Sequence, residues 1–203
     1  KGKSNWYMMA GFALDGKLTY KGQEVLRRVA VLKEDAERRT GELTPLGFRQ
    51  HAGIAQRMYS NYPEVFKGRK HITAHSTGSP RVLLSMNSFC ETLKGLNPDL
   101  DIRMDTGNAF KSQLNGLSEE SGKYKKNAMW KSALSAFEDE MYRPQRLMGS
   151  LFNDDAYVTG NVDARRLMDC LYELSGIALD TELDIRLYDI FEPQEIIDIW
   201  KTK

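Results

Sequence analysis

The stretch that most constrains this chain is residues 71–95, HITAHSTGSPRVLLSMNSFCETLKG. HITAH alternates and carries β-branched residues, which predicts a short strand. STGSP is a cluster of turn formers. Beyond it, Val82, Leu83, Met86, Phe89, Cys90 and Leu93 recur at the spacing of one helix face, and Gly95 stands where a C-cap glycine would end that helix. Residues 100–104, LDIRM, alternate again. Strand, helix and strand in that order predict a βαβ unit with parallel strands. Pro80 suits the first helical turn, where its missing N–H costs nothing. Arg81 then sits beside the unpaired N–H groups and partial positive charge of a helix start. A guanidinium fork there suits a phosphate or carboxylate. The alternative is a surface arginine on an ordinary strand–turn–helix.

The rest of the first half reads as helices. Val25, Leu26, Val29 and Leu32 keep helical register to about Arg39, behind Thr19 as an N-cap. Phe48, Ala52, Ile54, Ala55, Met58 and Tyr59 do the same behind Thr44, with Pro45 in the first helical position. Both helices open on the same letters, Leu-Thr-x-x-Gly, at 18–22 and 43–47. Two copies are too few for a solenoid. Before them, Trp6, Tyr7, Met8, Met9, Ala10 and Phe12 suggest a short buried helix.

From Asp105 the character changes. Residues 105–122 are rich in Gly, Ser and Asn and read as a loop or boundary, and nothing after them alternates convincingly. Helical spacing recurs over 123–141 and is broken at Arg143-Pro144. It returns at Leu147, Met148, Leu151 and Phe152. A further helix runs from Asn161 as cap to Gly176, and a last one starts at Pro193. The expected fold is therefore α/β in the first half and helical in the second.

Composition excludes several classes. Lys and Arg total 29 against 28 for Asp and Glu, a net charge of +1, which gives no electrostatic case for nucleic acid. No apolar run approaches the ~18 residues of a membrane helix. Cys90 and Cys170 are far apart, with no CxxC or Cys/His cluster, so no metal or other cofactor is expected; the two can pair or stand as free thiols. The chain begins Lys1-Gly2-Lys3, which reads as a processed chain or a piece of a longer one.

Three features together resemble the histidine acid phosphatase family, in the branch of phytases and multiple inositol polyphosphate phosphatases. The first is Leu43-Thr44-Pro45-Leu46-Gly47 with Arg49-Gln50-His51 and Arg57-Met58-Tyr59. The second is Ile72-Thr73-Ala74 with Ser76-Thr77, Arg81, Ser85-Met86 and Phe89. The third is the run from Asp189 to Glu195 leading to Trp200. The resemblance implies a phosphoglycerate mutase-like α/β domain with an inserted helical cap: a partial α/β phosphatase domain over 1–105 and the cap over 106–203. It also implies metal-free hydrolysis of phosphate monoesters in a periplasmic or secreted bacterial protein. In that family a histidine of an RHGxRxP motif attacks phosphorus and an acid of an HD or HAE motif protonates the leaving oxygen. Arg81 matches the arginine that clamps the phosphoryl group.

Neither catalytic motif occurs in this sequence. Its histidines are His51, His71 and His75, none of them in an Arg-His-Gly. The resemblance would put RHGxRxP before Lys1 and the acid motif beyond Lys203, so the expectation is the middle of a phosphatase, inactive alone. The alternative is a non-catalytic helical module for anion binding or protein interaction. His75, next to Ser76, can line the pocket of Arg81 or serve structurally. His51 reads as mid-helix and His71 as exposed. Lys123 and Lys126 can hold peripheral phosphates of a polyphosphorylated small molecule, or belong to a solvated helix face. Ser76, Thr77 and Ser79 lack the elbow and base of a serine nucleophile.

Overall fold

A computed structural model describes residues 16–39, 41–114, 119–126 and 128–203. The helix suggested around Trp6 to Phe12 lies outside them. In chain order the elements are α1 (Tyr20–Arg38), α2 (Pro45–Asn61), α3 (Pro63–Phe66), β1 (His71–Ser76), α4 (Pro80–Leu96) and β2 (Asp101–Thr106). A short 3-10 turn (Asn108–Phe110) leads to α5 (Lys111–Leu114), α6 (Glu119–Lys126) and α7 (Ala128–Met141). Then come α8 (Gln145–Leu151), α9 (Asp155–Asn161), α10 (Ala164–Leu179), a second 3-10 turn (Tyr188–Ile190) and α11 (Pro193–Lys201).

The repeated Leu-Thr-x-x-Gly is a capping device. Gly22 N–H donates to Thr19 Oγ1 and Gly47 N–H to Thr44 Oγ1, both at 3.0 Å. Each hydroxyl satisfies one donor that a helix start otherwise leaves open.

The chain forms two compact units, Lys1–Arg38 with Asn127–Lys203 and Arg39–Lys126. The expected division at residue 105 is not where they part. The apolar stripe of α1, Val25, Val29 and Leu32, is buried in one core with Leu147 and Leu151 of α8, Leu167, Leu171 and Leu174 of α10 and Ile199 of α11. Each such side chain gains about 1.5–3 kcal/mol on full burial, which commits α1 to the C-terminal helices. The α1 start is also stitched to α8: Thr19 N–H donates to Leu151 O at 2.9 Å and Thr19 Oγ1 to Ser150 O at 2.7 Å.

The second unit holds the predicted βαβ motif. β1 and β2 pair in parallel from His71↔Asp101 to Ser76↔Thr106, with α4 as the crossover. Ile72 and Ile102 on one sheet face pack on a small core of Ala55, Phe66, Leu93 and Leu100. His71, Thr73 and His75 alternate with them and are exposed.

Several boundaries differ from the sequence reading. α4 passes through Gly95 to Leu96 and is capped by Asn97, whose buried amide donates to Phe66 O at 2.6 Å and Gly68 O at 2.9 Å. The cap is a residue with long-range partners, which local spacing could not show. Asn161 does not cap α10; it ends α9, and Asp163 accepts from Arg166 N–H at 3.0 Å instead. β2 continues to Thr106 because Asp105 and Thr106 pair with His75 and Ser76. The stretch read as a loop after it contains two turns of helix and the start of α6. Cys90 and Cys170 are free, buried thiols, and burial pushes both thiols up.

Candidate functional site

Parallel strands followed by helices bind ligands beyond their C-terminal ends, where loops and helix starts converge. Here those ends are Ser76 and Thr106, opposite each other in register. The chain leaves β1 through Thr77-Gly78-Ser79 and enters α4 at Pro80. Ser79 makes no side-chain cap bond and no acidic residue occupies the first turn, so neither the cap residue nor the first turn brings negative charge to this helix start. Two bonds join the strand ends: Thr106 Oγ1 donates to Thr77 O at 3.1 Å and Gly107 N–H to Ser76 O at 3.3 Å. Gly107 has φ +152°, a conformation that a side chain would strain, and it turns the chain back after β2.

Arg81 is exposed in the first turn of α4, and its guanidinium bonds to no described residue. Other arginines of the molecule are committed. Arg28 binds Asp189, Arg146 binds Glu195, and Arg165 binds Glu138 and Asp139. Ser76 is 1% exposed, and its Oγ is buried without a hydrogen-bond partner. A buried hydroxyl left unpaired costs about 1–3 kcal/mol.

The histidines separate clearly. His71 Nδ1 lies 3.0 Å from Asp101 Oδ2, and its Nε2 lies 3.4 Å from Thr73 Oγ1. The His71 hydrogen bond, ahead of other causes, holds the Asp101 carboxyl below its usual range. His51 is half-buried on α2. His75 is exposed and pairs in register with Asp105, but no hydrogen bond joins them; its ring lies on Phe110, centroids 3.9 Å apart at 32°. Phe110 falls in the stretch the sequence suggested was loop, where no periodicity flagged it.

Lys123 and Lys126 are exposed on α6, and no hydrogen bond or ion pair joins them to His75 or Arg81. Among the described residues no group of three or more His, Cys, Asp or Glu is arranged to hold a metal. No described helix is long and apolar enough to cross a membrane.

The helical unit has a polar pocket of about 290 Å³ lined by Glu138, Tyr142, Arg165, Arg166, Asp169 and Lys203, among others. Most of its groups are spent on one another: Arg165 on Glu138, Lys203 on Asp169 at 2.5 Å, and Tyr142 OH on Asp169 at 2.5 Å. Burial and the Asp169 hydrogen bond push the Tyr142 phenol up to about 12, so it stays a neutral donor. This is a structural network and offers less to a ligand than the Arg81 loop.

A family model, that of the histidine phosphatase superfamily (branch 2), matches residues 12–162. His75, Arg81, Lys123 and Lys126 lie inside the match, and the run from Asp189 to Trp200 lies beyond it. No curated protein matches the chain.

Proposed function

The chain belongs to the histidine phosphatase superfamily, branch 2, and we propose that it carries the phosphate-clamping part of a metal-independent phosphomonoesterase. The observation that carries this reading is Arg81: an uncommitted guanidinium at an uncapped helix start, beyond the C-terminal ends of two parallel strands. Such a fork offers parallel N–H donors to the equatorial oxygens of a phosphoryl group, where charge builds during transfer.

The substrate class we propose is an inositol polyphosphate, with Lys123 and Lys126 meeting peripheral phosphates by charge. The strand-bearing unit is read as part of the family's α/β domain and the helical unit as its inserted cap, a division that moves residues 20–38 to the cap side and residues 106–126 to the α/β side. The nucleophile and acid that the chemistry requires are proposed to lie outside these 203 residues, in a protein exported to the periplasm or secreted.

Two measurements test this. Residues 1–203 alone are expected to give no vanadate-sensitive turnover of p-nitrophenyl phosphate; measurable turnover would overturn the division of labour. Inorganic phosphate is expected to bind, and Arg81→Ala to weaken it by roughly 10- to 100-fold, the worth of a charged hydrogen-bonded pair of about 1.5–3 kcal/mol. Equal affinity in the variant would remove Arg81 from the site.

A further inference from the structure

We infer that Phe110 is a positioning residue that holds the His75 imidazole at the mouth of the Arg81 loop as a second ligand for the bound phosphate. The inference rests on the reading of that loop as a phosphate site.

Three observations carry it. First, of the two strand histidines, His71 has both ring nitrogens engaged, by Asp101 and Thr73. His75 has neither nitrogen bonded to any described residue, although Asp105 stands opposite it in register. Second, its ring is nonetheless held, by a stack on Phe110 with centroids 3.9 Å apart. Stacking covers a ring face and leaves the N–H edge open, which restrains a donor without consuming it. Third, the segment that carries Phe110 is tied to the phosphate loop. Gly107 N–H binds Ser76 O and Thr106 Oγ1 binds Thr77 O, so the turn that delivers Phe110 and the loop that leads to Arg81 share two hydrogen bonds.

His75 is immediately followed by the buried, unpartnered Ser76 and precedes Arg81 by six residues. His75 and Arg81 therefore bracket one short loop along the chain. The charged groups sharing the sheet face with His75 are Asp105, Arg103, Asp101 and His71. Of these, His71 and Asp101 satisfy each other. An arriving phosphate oxygen would find in His75 a donor with no bond to break first.

The test uses the 203-residue chain and inorganic phosphate at one constant, mildly acidic pH. With only His51, His71 and His75 in the sequence, ring Cε1–H signals can be assigned by single substitution. Phosphate is titrated against sodium chloride of equal ionic strength, following the rings and the backbone amides of the 77–82 loop together. The expected result is saturable movement of the loop amides and of His75, with His51 and His71 still. His75→Ala should weaken binding about fivefold, the worth of one net hydrogen bond. Phe110→Leu, which keeps volume but removes the aromatic face, should weaken it comparably, and Phe110→Tyr should restore it. Loop movement without His75 movement overturns the inference and leaves the phosphate site standing. Movement of neither overturns both. A His75 response unchanged in Phe110→Leu and in Phe110→Ala removes Phe110 from the role.

Discussion

Gly22 is where a single methyl group should do most damage. A Cβ built on it would lie 2.2 Å from the carbonyl oxygen of Leu151 and 3.1 Å from its carbonyl carbon. The obstacle is backbone, so no rotamer change relieves it. For ordinary contact at 3.4 Å, α1 would have to retreat from α8 by about 1.2 Å. The same carbonyl accepts from Thr19 N–H at 2.9 Å, and that bond would stretch past any useful length. Thr19 Oγ1 to Ser150 O, at 2.7 Å, would go with it. Two net hydrogen bonds are worth about 2 kcal/mol, and forced separation of a packed core costs about 1–3 kcal/mol more. Against this stands the gain of about 1 kcal/mol for alanine over glycine inside a helix. The balance is a loss of about 2–4 kcal/mol, or roughly 5–15 °C in Tm for a chain of this length.

The assay is denaturation followed by tryptophan fluorescence, since Trp130 and Trp200 both belong to the unit that contains this contact. Two other glycines calibrate it. Gly47 occupies the same capped position in α2, but its added Cβ would meet Leu43 Cδ1 at 2.9 Å, the end of a flexible side chain. Gly47→Ala should therefore stay within about 1 kcal/mol of the parent, because helix propensity offsets a rotamer adjustment. Gly149, inside α8, has nothing within 4 Å of an added Cβ. Gly149→Ala should be neutral or stabilise by up to about 1 kcal/mol. The reasoning is refuted if Gly22→Ala melts at or above the parent, or if the three variants fall in a different order.

Ser76 and Ser88 are both 1% exposed, but Ser88 Oγ donates to Phe48 O at 2.6 Å while Ser76 Oγ has no partner. Ser88→Ala should cost about 1–2 kcal/mol in chemical denaturation and Ser76→Ala nothing or less than nothing; equal losses would mean that Ser76 is bonded. Asp154 caps α9 through Tyr157 N–H and pairs with Lys17 at 2.7 Å, which, with the Lys17 hydrogen bond as the larger cause, holds its carboxyl below the usual range. Its contribution is therefore fully present above the ordinary Asp value of ~3.9 and is lost as pH falls through the lower folded value. Tm should fall more steeply with acid in the parent than in Asp154→Asn, which keeps a cap acceptor without the charge, and parallel profiles would refute the assignment. Cys90 and Cys170 should react with a thiol reagent slowly in the native state and fully in denaturant, with no change in Tm on adding reductant; rapid native labelling would place them at the surface.

What could be read in the sequence was whatever a short window determines. The βαβ order, Thr19 and Thr44 as caps, and Pro80 and Pro193 at helix starts all depend on neighbours within a turn or two. The two Leu-Thr-x-x-Gly copies show where that ends. Their capping bonds are alike, yet one glycine faces the backbone of α8 and the other only the side chains of Leu43 and Thr44 just before its own helix. The stripe Val25, Val29, Leu32 announces burial but not its partner, so it could not say that α1 shares a core with helices more than a hundred residues on. The site divides on the same line. The place of Arg81 in the first turn of α4 was legible because strand, turn, proline and arginine are consecutive. Phe110 was not, because its meeting with His75 depends on register between β1 and β2 and on the turn at Gly107. A side chain placed by its adjacent residues leaves a motif; a ring held from another strand's exit leaves none, and only the fold brings Phe110 to His75.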